Sequence, residues 1–168
     1  QMFGLHSGLP SFMINQHLIR SAQDAKDYIS RLNEFPRVFA ELEANLYKRA
    51  ELNILAPKFV YPYILSDIIN VTTGAPFSEG EDSTLLDDFK KKLASVELAP
   101  EESAELIAAA TDALTRSVGP AFAALAKTVE NIETQADTRA GAWKLPDGEA
   151  FYNRALARTT TTTMDANE

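Results

Sequence analysis

Phe35-Pro-Arg-Val-Phe-Ala-Glu-Leu-Glu-Ala-Asn-Leu-Tyr-Lys-Arg-Ala-Glu51 decides the fold class. Phe39, Leu42, Leu46 and Ala50 recur at spacings of three and four residues, and Phe35 and Ile54 extend the stripe. Arg37, Glu41, Glu43, Lys48 and Glu51 fall largely outside it. That period is one face of an amphipathic helix with its apolar side turned to a core. Pro36 suits the first turn of such a helix, where its missing N–H costs nothing. It also disfavours helical geometry in the residue before it, so a preceding helix is expected to end near Glu34.

The same pattern extends in both directions. Upstream, Ser21 reads as an N-cap with Asp24 three residues on, followed by Ala25, Tyr28, Ile29 and Leu32 at helical spacing. Residues 1–20 read as a loop through Gly4, Ser7-Gly8 and Leu9-Pro10-Ser11, then a short apolar stretch, Phe12-Met13-Ile14. Downstream, Pro57 opens a third helix with Phe59, Val60, Tyr63, Ile64, Ile68 and Val71 inward, and Pro62 either kinks it or starts it. Residues 74–82 form the clearest loop, and Asp82 or Ser83 caps a fourth helix carrying Leu85, Leu86, Phe89, Leu93 and Val96. Pro100 starts a fifth, with Glu101 and Glu102 at its positive end and Leu106, Ile107, Ala110, Leu114 and Val118 as its stripe. Gly119-Pro120 is expected to end that helix and begin a sixth, with Phe122, Leu125, Ala126, Val129 and Ile132, reaching about Ala140.

Residues 141–148 then form a turn-rich loop holding the sole tryptophan, Trp143, and a short helix runs from Glu149 to about Arg158. Thr159 to Thr163 favour extended backbone and read as a linker or short edge strand. Met164 to Glu168 reads as the start of a further helix, with Thr163 or Asp165 as cap. The expected fold is therefore all-α: an antiparallel bundle of six to seven helices, since short connections favour antiparallel neighbours. Helices one to three occupy 21–73, helices four to six 83–140, and the loop, short helix and Thr-rich linker 141–168. Because Gln1 is no initiator and the last residues announce a helix, residues 1–168 are expected to be a single helical segment of a larger protein.

Composition narrows the function classes. A 45% apolar and 24% charged chain of 168 residues can bury a core. Net charge −8 disfavours nucleic acid as a partner, and Lys90-Lys91-Lys92 follows Asp87-Asp88 as helical charge pairing would. No cysteine is present, which removes disulfides and thiolate metal sites. No apolar run approaches the roughly 18 residues of a membrane span.

No catalytic constellation emerges, and no metal ligand set. His6 and His17 share no zinc-type spacing, and no nucleophile elbow or phosphate loop occurs. The acidic clusters (Glu79, Glu81, Asp82; Asp87, Asp88; Glu101, Glu102) stand at loops or helix starts, where solvation and capping explain them. Tyr61-Pro62-Tyr63 and Trp143 are both candidates to line a pocket; aromatics at helical spacing read first as core, whereas Trp143, the better candidate, sits in a loop that must fold over something.

Two blocks carry a resemblance. Asp24-Ala-Lys-Asp-Tyr-Ile-Ser-Arg-Leu32 resembles a "D-A-x-x-Y-I-x-R-L" helix, and Leu145-Pro-Asp-Gly-Glu-Ala-Phe-Tyr152 an "L-P-x-G-x-x-(Y/F)-Y" loop and helix. Both are similar to a bacterial family known as domain of unknown function 885, and the threonine run with Asp165-Ala-Asn-Glu168 resembles the approach to its "E-I-H" helix. Its members are labelled lipoproteins or secreted proteins and look like helical zinc metallopeptidases of the gluzincin type.

The resemblance implies a zinc cofactor for the full-length parent and none in this chain. The family's His-Glu-x-x-x-Gly-His-His motif has no match here, so its zinc ligands and catalytic glutamate are carried to no position. It also implies a non-catalytic helical portion of a peptidase, forming a wall of the substrate cleft. The partners would be the catalytic half and a peptide, with a homodimer through an exposed apolar face as a further option. The compartment would be periplasmic or extracellular, with a lipid anchor as a variant. Tyr152, Trp143 and His6 are the candidate substrate-binding residues. The competing reading is a stand-alone helical interaction module with no enzymatic activity.

Overall fold

The computed structural model describes residues 4–162 and 165. Eight α-helices follow in order: α1 (Leu5–Asn15), α2 (Ala22–Asn33), α3 (Phe35–Glu51), α4 (Tyr61–Val71), α5 (Thr84–Leu93), α6 (Pro100–Ala113), α7 (Gly119–Glu133) and α8 (Gly148–Thr160). Short 3-10 turns sit at Lys58–Val60 and Ala142–Lys144. Among the described residues there is no strand, only an isolated bridge between Ala75 and Asp82. The all-α class expected from the periodicity is the class observed.

The seven expected helices are present, and α1 is the eighth. Gly8 and Pro10 give this stretch the composition of a loop, yet it is helical because its neighbours hold it. It packs on α4 and α5, and Lys92 Nζ donates to the Met13 and Ile14 carbonyls at 2.8 and 2.7 Å. Those are carbonyls of the last turn, which a helix end leaves without partners. The same ammonium bonds Asp88 at 2.8 Å, and Asp88 accepts the Tyr28 hydroxyl at 3.1 Å. Tertiary contacts thus override weak propensity.

The two prolines that read alike behave differently. At Pro36 the chain breaks: α2 ends at Asn33, Glu34 makes a tight turn, and α3 begins. At Pro120 it does not. Residues 100–133 are helical throughout, with Leu114–Val118 wound as a π turn in which Gly119 N–H reaches back five residues to Leu114 O. A proline inside a regular helix clashes with the carbonyl four residues earlier, and a widened turn relieves that. The expected break at Gly119-Pro120 is therefore corrected to a continuous helical arm. α7 also stops at Glu133 rather than near Ala140.

This arm changes the topology. Asn33 meets Ser117, Phe39 meets Phe122 and Glu43 meets Thr128. Residue numbers rise together, so the arms α2–α3 and α6–α7, far apart in sequence, run parallel. Between them α4 runs back against α7: Lys58 N–H donates to Asp137 O at 2.7 Å, and farther along the chain the Phe77 ring lies against Gly119. The intervening α4, loop and α5 act as the crossover that lets two arms lie side by side in the same direction.

The core lies where the arms meet. Tyr28, Phe39, Phe89 and Phe122 are fully buried. Phe39 and Phe122 pack edge-on with centroids 4.8 Å apart, and Tyr28 and Phe89 lie 5.2 Å apart. Ser21 caps α2 as expected, accepting from Asp24 N–H at 3.2 Å. Thr159 and Thr160, expected as linker or strand, instead finish α8, with their hydroxyls on the Ala155 and Leu156 carbonyls one turn back. Such back-bonding supplies the partner that a threonine otherwise finds in extended chain. The helix start expected at 163–168 falls on residues 163, 164 and 166–168, outside the described residues.

Candidate functional site

α3, α4 and α7 do not close on one another at the end where α3 and α7 stop. They leave a half-open cavity of about 390 Å³. Leu42 and Leu46 come from α3, Ile64 from α4, and Leu125, Val129 and Ile132 from α7. These are the inward residues of three amphipathic stripes, so ordinary helix periodicity builds the wall. Leu5 and His6 of α1, with Gly141, Ala142, Lys144, Leu145 and Phe151 of the segment 141–151, line it as well.

That segment folds as it does because of Gly148. A Cβ there would lie 1.9 Å from Ala142 O, so only glycine lets the start of α8 press backbone against the 3-10 turn. Asp147 before it takes a left-handed conformation at φ 53°. The Leu-Pro-x-Gly block is thus first a folding device. It holds Ala142, Lys144 and Leu145 at the cavity and turns Trp143 outward.

The candidate residues separate. His6 is buried, lines the cavity, and bonds Asp67 through Nε2 at 3.2 Å. Trp143 is 69% exposed and Tyr152 49% exposed, and neither lines the cavity. Phe151, between them in sequence, does line it and is 62% exposed. Sequence reading missed Lys144 and Arg49, and it weighed Tyr61 as a pocket residue but favoured the core. The Lys144 side chain is only 6% exposed and pairs with Asp137 at 3.2 Å. Arg139 also bonds Asp137, and its hydrogen bond, then that of Lys144, hold the carboxyl below its usual range. Tyr61 is buried at the cavity, and burial raises its phenol pKa. A base in a loop and an arginine in a last helical turn were the only sequence signals for the first two.

His17 is placed elsewhere. It lies in the core, 5.0 Å edge-on from Tyr28. Its Nε2 is 3.1 Å from Asp24 O and its Nδ1 is 2.7 Å from Arg31 Nη1. A carbonyl can only accept and a guanidinium only donate, so the ring is neutral with its proton on Nε2. Burial, first, lowers its pKa from 6.5. No group of three or more His, Cys, Asp or Glu able to hold a metal occurs among the described residues. With each histidine committed to its own partners, these residues do not fit a zinc site.

A family model described as a bacterial protein of unknown function, DUF885, matches residues 1–168. The crystal structure of the "putative lipoprotein" from Colwellia psychrerythraea superposes with a TM-score of 0.90 at 24% identity. The match covers 97% of this chain and 27% of that one, so the chain spans little more than a quarter of that protein's length. At such identity the likeness shows the fold. No curated protein matches.

Proposed function

This chain belongs to the DUF885 family of bacterial proteins, and from that premise we propose that it is a non-catalytic helical portion of a zinc-dependent peptidase, forming one wall of the substrate cleft. The observation that carries the reading is the exposure of three aromatic side chains on one short segment. The segment from Gly141 to Tyr152, which bears one of the two sequence blocks, exposes Trp143, Phe151 and Tyr152, and Phe151 lines the cavity. Exposed aromatic faces on a segment fixed by a buried glycine offer a rigid ledge for an extended peptide, and the Tyr152 hydroxyl offers it a hydrogen bond. His6 stands on another side of the cavity, anchored by Asp67.

The resemblance to gluzincin peptidases brings zinc with it, but no residue here is assigned to the metal, and no step is derived through it. In this reading the ligands and the catalytic glutamate belong to a further part of the protein, which is also the chain's first partner. A periplasmic or extracellular, lipid-anchored location is supported by the description of the Colwellia protein as a lipoprotein. Among the described residues no helix is long and apolar enough to cross a membrane.

The test starts with the encoding frame beyond residue 168. The complete gene product, loaded with zinc, is assayed on peptides with and without a chelator. Tyr152→Phe should lower kcat/KM about fivefold, the worth of one hydrogen bond, with most of the change in KM. Unchanged hydrolysis in Tyr152→Phe removes that role. A complete product that cuts no peptide overturns the reading. The same exposed aromatics then favour a helical interaction module.

A further inference from the structure

The cavity has a chemistry that stands apart from peptide hydrolysis. Its walls are hydrocarbon, and none of its lining residues is Asp, Glu, Asn, Gln, Ser or Thr. This is in a chain with 24 acidic residues against 16 lysines and arginines. The charged groups that do line it are basic, Arg49 and Lys144, with His6 placed against Asp67. Arg49 lies in the last turn of α3. Lys144 is tied to Asp137 just past α7, and the Lys58 N–H on Asp137 O brings the start of α4 to the same end. The acids nearby are Asp137, already bonded by Arg139 and Lys144, and Glu133 beside Tyr61. Among the described residues Arg49 has no ion-pair partner.

A peptide group drawn inside would give up its water and find no side-chain amide or hydroxyl except the Tyr61 phenol. A hydrocarbon chain loses nothing there and gains the burial. The volume suffices, since about 150 Å³ of apolar cavity already takes benzene, and small-molecule pockets begin at roughly 300 Å³. A basic rim over an apolar floor is complementary to one chemical class. We propose that the cavity binds a single-chain amphiphile ending in a carboxylate. Its alkyl tail lies along Leu46, Ile64, Val129 and Ile132, and its carboxylate meets Arg49 and Lys144.

The experiment uses the full chain with decanoate and 1-decanol as probes, followed by titration calorimetry. Trp143, the only tryptophan of residues 1–168, adjoins two lining residues and reports the same event by fluorescence when these residues are studied. Decanoate should saturate at one per chain and bind about tenfold tighter than decanol, the scale of a charge-assisted hydrogen bond. Arg49→Gln, an exposed rim change that keeps the fold, should weaken decanoate about fivefold and leave decanol unchanged. Val129→Trp, with folding checked by circular dichroism, should abolish both. Equal binding of the two probes, indifference to Arg49→Gln, or no saturable decanoate binding overturns the proposal. None of these results depends on whether the complete protein cuts peptides.

Discussion

The two ends of α3 carry the same sequence signature and meet different fates. Near its start, Phe35 and Phe39 are sealed against Phe122 of the long arm. Two turns later, Leu42 and Leu46 continue the identical stripe but are only partly buried, because α4 and α7 stand off and leave the cavity. An apolar stripe therefore specifies which face turns inward, not whether anything fills the space it faces. Partners decide that. At the first end an aromatic ring arrives from α7, whereas at the second the helices splay and short loop segments form the rim.

The sealed end should be the expensive one to damage. Phe122→Ala removes the ring against which Phe35 and Phe39 pack and leaves a void in a fully buried setting. A loss of about 3–5 kcal/mol is expected in urea unfolding. A loss below about 1 kcal/mol would show that the core is no better packed than the cavity and would dissolve the contrast.

Next in size is the acid sensitivity of the same region through His17. Its folded-state pKa lies below 6.5, with burial as the main cause and Arg31 and Lys92 adding repulsion against the pull of Asp24. The unfolded chain therefore takes up this proton more readily than the folded one. The contribution of neutral His17 is present above pH 6.5 and is lost as the pH falls through the lowered folded value. Protonation also places two donors face to face at Arg31 Nη1 and Nδ1. Unfolding free energies measured from pH 7.5 down to 5 should decline in the wild type and flatten in His17→Gln. Equal slopes would remove His17 as the cause.

Much of this architecture was legible, and the gaps have physical reasons. The stripes of α2, α3 and α5 to α7 follow from spacing, whereas in the third expected helix Ile64, Ile68 and Val71 turn inward but Phe59 and Tyr63, expected inward, are 59% and 72% exposed. Ser21 behaves as the cap it resembles. α1 was hidden because Gly8 and Pro10 punctuate it, while its support comes from Lys92, 78 and 79 residues away in sequence. Phe35-Pro36 and Gly119-Pro120 look equivalent, but a π turn absorbs the second, so α6 and α7 run on as one arm instead of turning back on each other. The site was less legible. His6 was singled out and does line the cavity. Trp143 and Tyr152 were chosen for their loop and their phenol and are exposed outside its lining. Arg49 and Lys144 share a rim only because α3 and α7 end together, a fact that lies in no local window of residues.

The smallest expected effect tests the open end. Leu46→Ala removes a side chain from the wall of a cavity that already exists. The usual penalty for a new void does not apply in full, because the space beside it is already unfilled and partly reached by solvent. What remains is the apolar area that Leu46 covers, at about 25 cal/mol per Å². For a partly buried leucine this amounts to about 1 kcal/mol, against the 2–5 kcal/mol of a sealed site. Unfolding of Leu46→Ala beside Leu125→Ala separates the two cases on facing helices. Leu125 also lines the cavity, yet it is 1% exposed and belongs to the core. If Leu46→Ala proves as costly as Leu125→Ala, the cavity is closed in solution, and the two ends of α3 are alike after all.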